Sequence, residues 1–169
     1  DSRNWQLCKY GLSSTDSLSV QKLSCASSDD LATVPSIEQF IKANNYPLVS
    51  EFEAHNFRTM AHLNKTMVIA IVDFRDQASL NATKHALFRL AGSVQDRVGT
   101  SIIFGYLDGI RWRKFAKHHE ALVPSILVAD HDNERHSVVY LKSADSYEEI
   151  LERTIRQVLD NSLEMKPTA

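Results

Sequence analysis

The chain has 169 residues, 43% of them hydrophobic and 24% charged, with a formal net charge of -2. That length fits about one domain and that composition is ordinary for a globular protein, while the near-even charge balance argues against a nucleic-acid binder or a bulk calcium store. The longest apolar run, Met67 to Val72, is far short of the roughly 20 residues a bilayer span needs, so no membrane span is expected. With no apolar leader at Asp1, a secretory origin would require that such a segment had been removed.

Residues 1–35 open with a Ser-rich, polar stretch that keeps no sustained period. It reads as an arm or as the remnant of a preceding unit. Both cysteines, Cys8 and Cys25, fall there, far from Cys-x-x-Cys spacing; a disulfide between them and two free thiols both fit. A linker helix is expected over 36–45, with Ser36 and Gln39 as a capping box and Ile37, Phe40 and Ile41 as its buried stripe. The main domain then spans 46–163. Tyr46 to Val49 reads as a short strand. Ser50 and Glu53 form a second capping box for a helix over about 51–61, with Phe52, Phe57 and Met60 on its apolar side. Thr66 to Asp73 is a continuous, β-branched run, the pattern of a strand buried on both faces.

A long helix follows over about 76–96, with Leu80, Leu87, Leu90, Ala91 and Val94 at helical period. Ser101 to Leu107 is the next strand. Asp108 is placed to cap a helix over about 109–120 whose inward face is Trp112, Phe115, Ala116 and His119. Val123-Pro124-Ser125 leads into a strand at Ile126–Ala129. A polar turn at 130–134 and a hairpin strand from Arg135 to Leu141 come next. Ser146 and Glu149 are a third capping box, opening a last helix with Tyr147, Ile150, Leu151, Ile155 and Val158 on one side. Residues 164–169 form a polar tail. The order is β-α-β-α-β-α-β-β-α, an α/β fold with a mixed central sheet, helices on both faces and an extra helix in front.

Three segments carry a family resemblance. They are Ile37 to Phe52 (Ile-Glu-Gln-Phe-Ile-Lys-Ala-Asn-Asn-Tyr-Pro-Leu-Val-Ser-Glu-Phe), Phe104-Gly-Tyr-Leu-Asp-Gly109, and Val123-Pro-Ser-Ile-Leu-Val128. Over about 36–163 the chain resembles the non-catalytic, b'-type thioredoxin-like domain of the protein disulfide isomerase family. It is most like the lumenal part of the thioredoxin-related transmembrane proteins of the endoplasmic reticulum. The resemblance implies a thioredoxin-like fold in the lumen of that compartment, tethered or not by a membrane helix beyond this sequence. It also implies a cis peptide bond at Pro124 beside the place of the redox site. That place, where the long helix begins, reads Asp73-Phe74-Arg75-Asp76-Gln77. No thiol stands there, so a helix N-terminus that would activate a cysteine has none to activate. The chain is therefore expected to be no enzyme and to need no cofactor.

In such domains clients lie in an apolar groove between the first and third helices. The matching segments are 51–61 and 110–120, with Phe52, Phe57, Met60, Phe115 and Leu122 as the groove side chains and Ile69 and Ile71 as its floor. Phe57, Met60 and Phe115 are expected to face solvent. The expected partners are unfolded or partly folded proteins, and catalytic thioredoxin domains of the same parent. The alternatives are a scaffold that docks a folded partner and a folding sensor of a glycoprotein quality-control enzyme. Asn64 and Asn81 head glycosylation sequons. The seven histidines show no i, i+4 pair, so no metal is expected, and His119 reads as a core residue. Arg111-Trp112-Arg113-Lys114 reads as a solvated helix face balanced by Asp108 and Glu120.

Overall fold

The computed structural model describes residues 6–12, 20–27, 29–31, 33–44, 46–98, 101–141 and 146–168. Parts of the expected arm (1–5, 13–19, 28 and 32), the side chain of Phe40, Asn45 and Ala169 lie outside them. The chain divides into two compact units, Asp1–Leu48 and Val49–Ala169.

The first unit holds strands that the sequence pattern did not announce. Gln6–Leu12 (β1) and Val20–Ser27 (β2) form an antiparallel hairpin. Cys8 pairs directly with Cys25, and the two are joined by a disulfide, their Cα atoms 4.1 Å apart. A two-stranded hairpin is marginal by itself in water, and the covalent link adds to its stability. Helix α1 runs from Val34 to Asn44. Its capping box lies one turn earlier than the sequence pattern placed it. Ser36 donates its backbone N–H to Thr33 Oγ1 at 3.3 Å, and Thr33 donates its own to Ser36 Oγ at 3.2 Å. Ile41, expected on the buried stripe, is exposed, since a unit this small covers little of a helix.

The second unit holds a six-stranded sheet. Its strands are Val49–Glu51 (β3), Thr66–Val72 (β4), Ile102–Asp108 (β5), Ser125–Asp130 (β6), Arg135–Tyr140 (β7) and Lys166–Pro167 (β8), in the order β3-β5-β4-β6-β7-β8. β3, β5 and β4 are parallel, and β6, β7 and β8 add antiparallel strands. Residues 67–72 of β4 are completely buried, so the sheet is covered on both faces there. The helices are Phe57–Ala61 (α2), Gln77–Val98 (α3), Arg113–His118 (α4) and Tyr147–Leu159 (α5). Asp76 opens α3 by accepting Ser79 N–H at 3.1 Å, and Ser146 opens α5 by accepting Glu149 N–H at 3.3 Å. Arg89 of α3 pairs with Glu148 of α5.

Three expectations are corrected in this unit. The Ser50–Glu53 capping box does not form, because Ser50 lies within β3, paired with Gly105 and buried. The first strand therefore starts at Val49 rather than Tyr46, and the helix shrinks to the five residues of α2. Asn56 organises the connection instead: its Oδ1 accepts Glu53 N–H at 2.9 Å and its Nδ2 donates to Glu51 O at 2.8 Å. The polar tail is also part of the sheet. Thr168 N–H donates to Glu134 O at 2.7 Å and Arg135 Nη2 donates to Met165 O at 3.1 Å, locking β8 onto the edge.

Gly105 has a packing reason. A Cβ there would run into the Phe52 ring and lie 2.5 Å from Ser50 O. Only a bare Cα lets Phe52 lie against β5, where its N–H donates to Tyr106 O at 2.8 Å.

Candidate functional site

Strand β4 delivers the chain to the start of α3. Here Arg75 closes on Asp73, with Nη2 2.6 Å from Oδ2 and Nε 2.9 Å from Oδ1. These hydrogen bonds lower the Asp73 pKa to about 2. Gln77 Nε2 donates to Phe74 O at 2.7 Å. The Phe74 ring meets that of Tyr106 at 5.9 Å, and Tyr106 donates its hydroxyl to Glu51 Oε2 at 3.2 Å. Burial, with the Glu51 charge beside it, pushes the Tyr106 phenol well above its ordinary range. The register of β4 with β6 sets Ile71 opposite Ser125, which brings the cis Val123–Pro124 bond level with the end of β4.

A second locus lies between α2 and α4. Phe57 of α2 is its hub. Its ring stands 5.7 Å from Phe52, 5.4 Å from Trp112, 5.1 Å from Phe115 and 6.1 Å from His131. Trp112 and Phe115 meet at 5.8 Å. Phe115 then touches His119 at 4.6 Å, and His119 touches His136 at 5.0 Å. Edge-on contacts such as Phe57 on Phe115 match the quadrupoles of the rings, so the rings hold one another in place. Phe57, Trp112 and Phe115 are each half-buried. A hollow of about 410 Å³ opens beside them, lined by Ala54, Arg111, Trp112, Arg113, Lys114 and Phe115.

The ring chain ends in histidines. His119 is buried, and among the described residues its Nδ1 has no hydrogen-bond partner. Burial, then the charges of His136, His118 and His131, lower its pKa to about 4. Burial likewise lowers His131. Both imidazoles are neutral at neutral pH. His136 meets Thr168 Oγ1 at 3.2 Å.

A family profile described as a thioredoxin-like domain matches residues 9–160. The chain belongs to the thioredoxin-like domain family. No curated protein matches it in sequence. Its fold is similar to that of human ERp44, form II, with a TM-score of 0.57 at 16% identity over 86% of this chain and 38% of that one. The bb fragment of ERp72 is similar with a TM-score of 0.56 at 12% identity, over 91% of this chain and 65% of that fragment. The first thioredoxin domain of mouse Protein disulfide-isomerase A4 gives 0.50 at 14% identity, over 72% and 83%. The thioredoxin-like unit thus has structural neighbours in the protein disulfide isomerase family, and the chain spans well under half the length of ERp44 and just under two thirds of the ERp72 fragment.

Within this thioredoxin-like frame the residues expected to form a groove divide. Phe52, Phe57 and Phe115 come together in the ring chain, although Phe52 is buried beneath it. Met60 is buried rather than solvent-facing, because the short α2 turns it inward beside Ala61. Ile69 and Ile71 are fully buried in the central strand, so they are core and not a floor open to a ligand. Leu122 is 69% exposed on the loop after α4, outside the ring chain. Pro124 is cis and exposed. Asn64 and Asn81 are both exposed, Asn64 in a turn and Asn81 on α3. Among the described residues no three His, Cys, Asp or Glu side chains are set to hold a metal ion. None of the described helices is long and apolar enough to cross a membrane. The proposed groove residues left out Trp112 and His131. The signal for Trp112 was its place on the inward face of α4, but nothing local in sequence points from a turn histidine to Phe57.

Proposed function

We propose that this chain binds unfolded or partly folded proteins, as the non-catalytic, b'-type module of a protein disulfide isomerase or a related folding factor. The observation that carries this reading is the half-buried ring cluster of Phe57, Trp112 and Phe115, of which Trp112 and Phe115 line an open hollow. Rigid aromatic faces recognise many apolar side chains without demanding one sequence, which is what a client-binding surface needs. The thiol work falls to other domains: the start of α3 carries the Asp73–Arg75 ion pair, and both cysteines of the chain are bonded to each other. Catalytic thioredoxin domains of the same parent are the natural companions. The Cys8–Cys25 disulfide suits an oxidising compartment, and we place the protein in the lumen of the endoplasmic reticulum.

Chemical-shift mapping of the chain with a panel of extended apolar peptides tests this. Shifts should centre on Phe57, Trp112 and Phe115, with dissociation constants of about micromolar to millimolar, because a small groove must also offset the ordering of its ligand. Silence at these rings, with capture of a single folded partner elsewhere, would replace the client-binding reading with a scaffold.

A further inference from the structure

The hollow beside Phe115 has walls of two kinds. Trp112 and Phe115 offer ring faces, and Arg111, Arg113 and Lys114 offer three cations; no carboxylate lines it. The acidic neighbours that would make α4 a balanced, solvated face are engaged elsewhere. Asp108 Oδ1 accepts Ile110 N–H at 3.0 Å, and its charge acts on Arg75. Glu120 turns to Lys166, 3.9 Å away. Among the described residues Glu53 is the one carboxylate paired on this side, and it is shared between Arg111 at 3.4 Å and His55 at 3.3 Å. Arg113 and Lys114 therefore form no ion pair among the described residues. On a chain of net charge -2 this is a local excess of positive charge beside half-buried aromatic rings.

We propose that the groove selects peptide segments that are acidic as well as apolar. A large apolar side chain rests on the Trp112 and Phe115 rings, and flanking Asp or Glu residues meet Arg113 and Lys114. This deepens the peptide-binding reading and rests on it. Cations beside aromatic rings also suit a nucleic acid, but a nucleic-acid surface carries a stripe of basic residues long enough to follow many phosphates. Here the charge sits on one short helix, Arg113 to His118, and the turn before it, within reach of two or three carboxylates.

The test titrates the full chain with synthetic peptides that share a central Phe-Leu pair and differ only in their flanks: Asp and Glu, Ser and Gln, or Lys. A single-stranded oligonucleotide is the fourth probe. The acidic peptide should bind about three- to tenfold more tightly than the neutral one at low salt, as a few exposed ion pairs allow. That advantage should shrink between about 50 mM and about 300 mM salt, while the affinity of the neutral peptide stays level. The Arg113→Glu/Lys114→Glu variant should erase the preference for the acidic over the neutral peptide. The salt series on the unaltered chain probes the same ion pairs without any variant. Equal affinity for acidic and neutral peptides overturns this proposal and leaves the apolar groove standing. Failure of every peptide to bind overturns both readings. An oligonucleotide that binds more tightly than the acidic peptide makes this a phosphate-binding surface instead.

Discussion

The ring of Phe57 stands edge-on to that of Phe115, centroids 5.1 Å apart and planes at 77°, and through this contact α2 and α4 form one surface. Phe57 also leans on Phe52, whose ring Gly105 admits. The outward rings are therefore seated on the core without being part of it.

That distinction can be measured. Phe115→Ser should cost about 1–2 kcal/mol, the worth of edge contacts and a half-exposed ring, and should weaken binding of apolar peptides strongly. Met60→Ala, at a buried position, should cost about 2–5 kcal/mol and affect peptide binding only through stability. Urea denaturation alongside peptide titration separates the two. A Phe115→Ser chain that does not fold would make Phe115 core, and one that folds and binds normally would put the groove elsewhere.

Stability should fall on mild acidification, and His119 sets the sign. Its pKa is depressed from 6.5 to about 4 in the folded chain and returns to 6.5 on unfolding. Between those values the unfolded chain binds more protons. The contribution is thus complete above pH 6.5 and is lost as pH falls toward 4, at no more than about 1.4 kcal/mol per pH unit. His131, lowered by the same burial, acts in the same direction. Urea midpoints followed from about pH 7 to about pH 5 should drop more steeply for the unaltered chain than for His119→Phe. Parallel slopes would remove His119 from the account.

The chain should reduce insulin no faster than a protein with one structural disulfide. The stretch from Asp73 to Gln77 offers no thiolate, and exchange needs one. A Cys8→Ser/Cys25→Ser chain should show the same rate in glutathione buffer. A rate well above background that vanishes in this variant would move the chemistry to the hairpin.

Reduction of the Cys8–Cys25 bond should loosen β1 and β2 and spare the sheet of the second unit. The bond spans a sequence separation of 17, which corresponds to about 3 kcal/mol of loop entropy. Hydrogen exchange with and without dithiothreitol reads this directly. Faster exchange should appear in the strand amides of the hairpin and not at Met67 to Val72. Unchanged protection in the hairpin would mean that something other than the disulfide holds it.

Much of the second unit was legible because its signals are local. The run from Met67 to Val72 announces a strand covered on both sides, and the Ser146–Glu149 box opens α5 where the pattern placed it. What misled were residues with two eligible roles. Ser50 and Glu53 have the spacing of a cap, but Ser50 is taken by pairing with Gly105, and only the sheet register reveals that. The hairpin hid because the alternation of β1 and β2 is broken by a register shift between Lys9 and Tyr10. β8 hid because Lys166 and Pro167 pair with His136 and Arg135, partners far away in sequence. The groove was half legible for the same reason. Helical spacing put Phe57 and Phe115 on apolar faces, but Met60, Ile69 and Ile71 have the same chemistry, and burial alone tells core from surface.

The central place of β4 also sets a problem of timing. Both strands that flank it, β5 and β6, lie downstream and begin at Ile102 and Ser125. During synthesis at about 5–20 residues per second, the most apolar segment of the chain leaves the ribosome seconds before either neighbour exists. An uncharged, β-branched run of this kind is itself prone to stray pairing while it waits. A module that we read as a holder of unfinished proteins thus begins life as one, and the nascent chain should need a holdase until residues 125–130 have emerged.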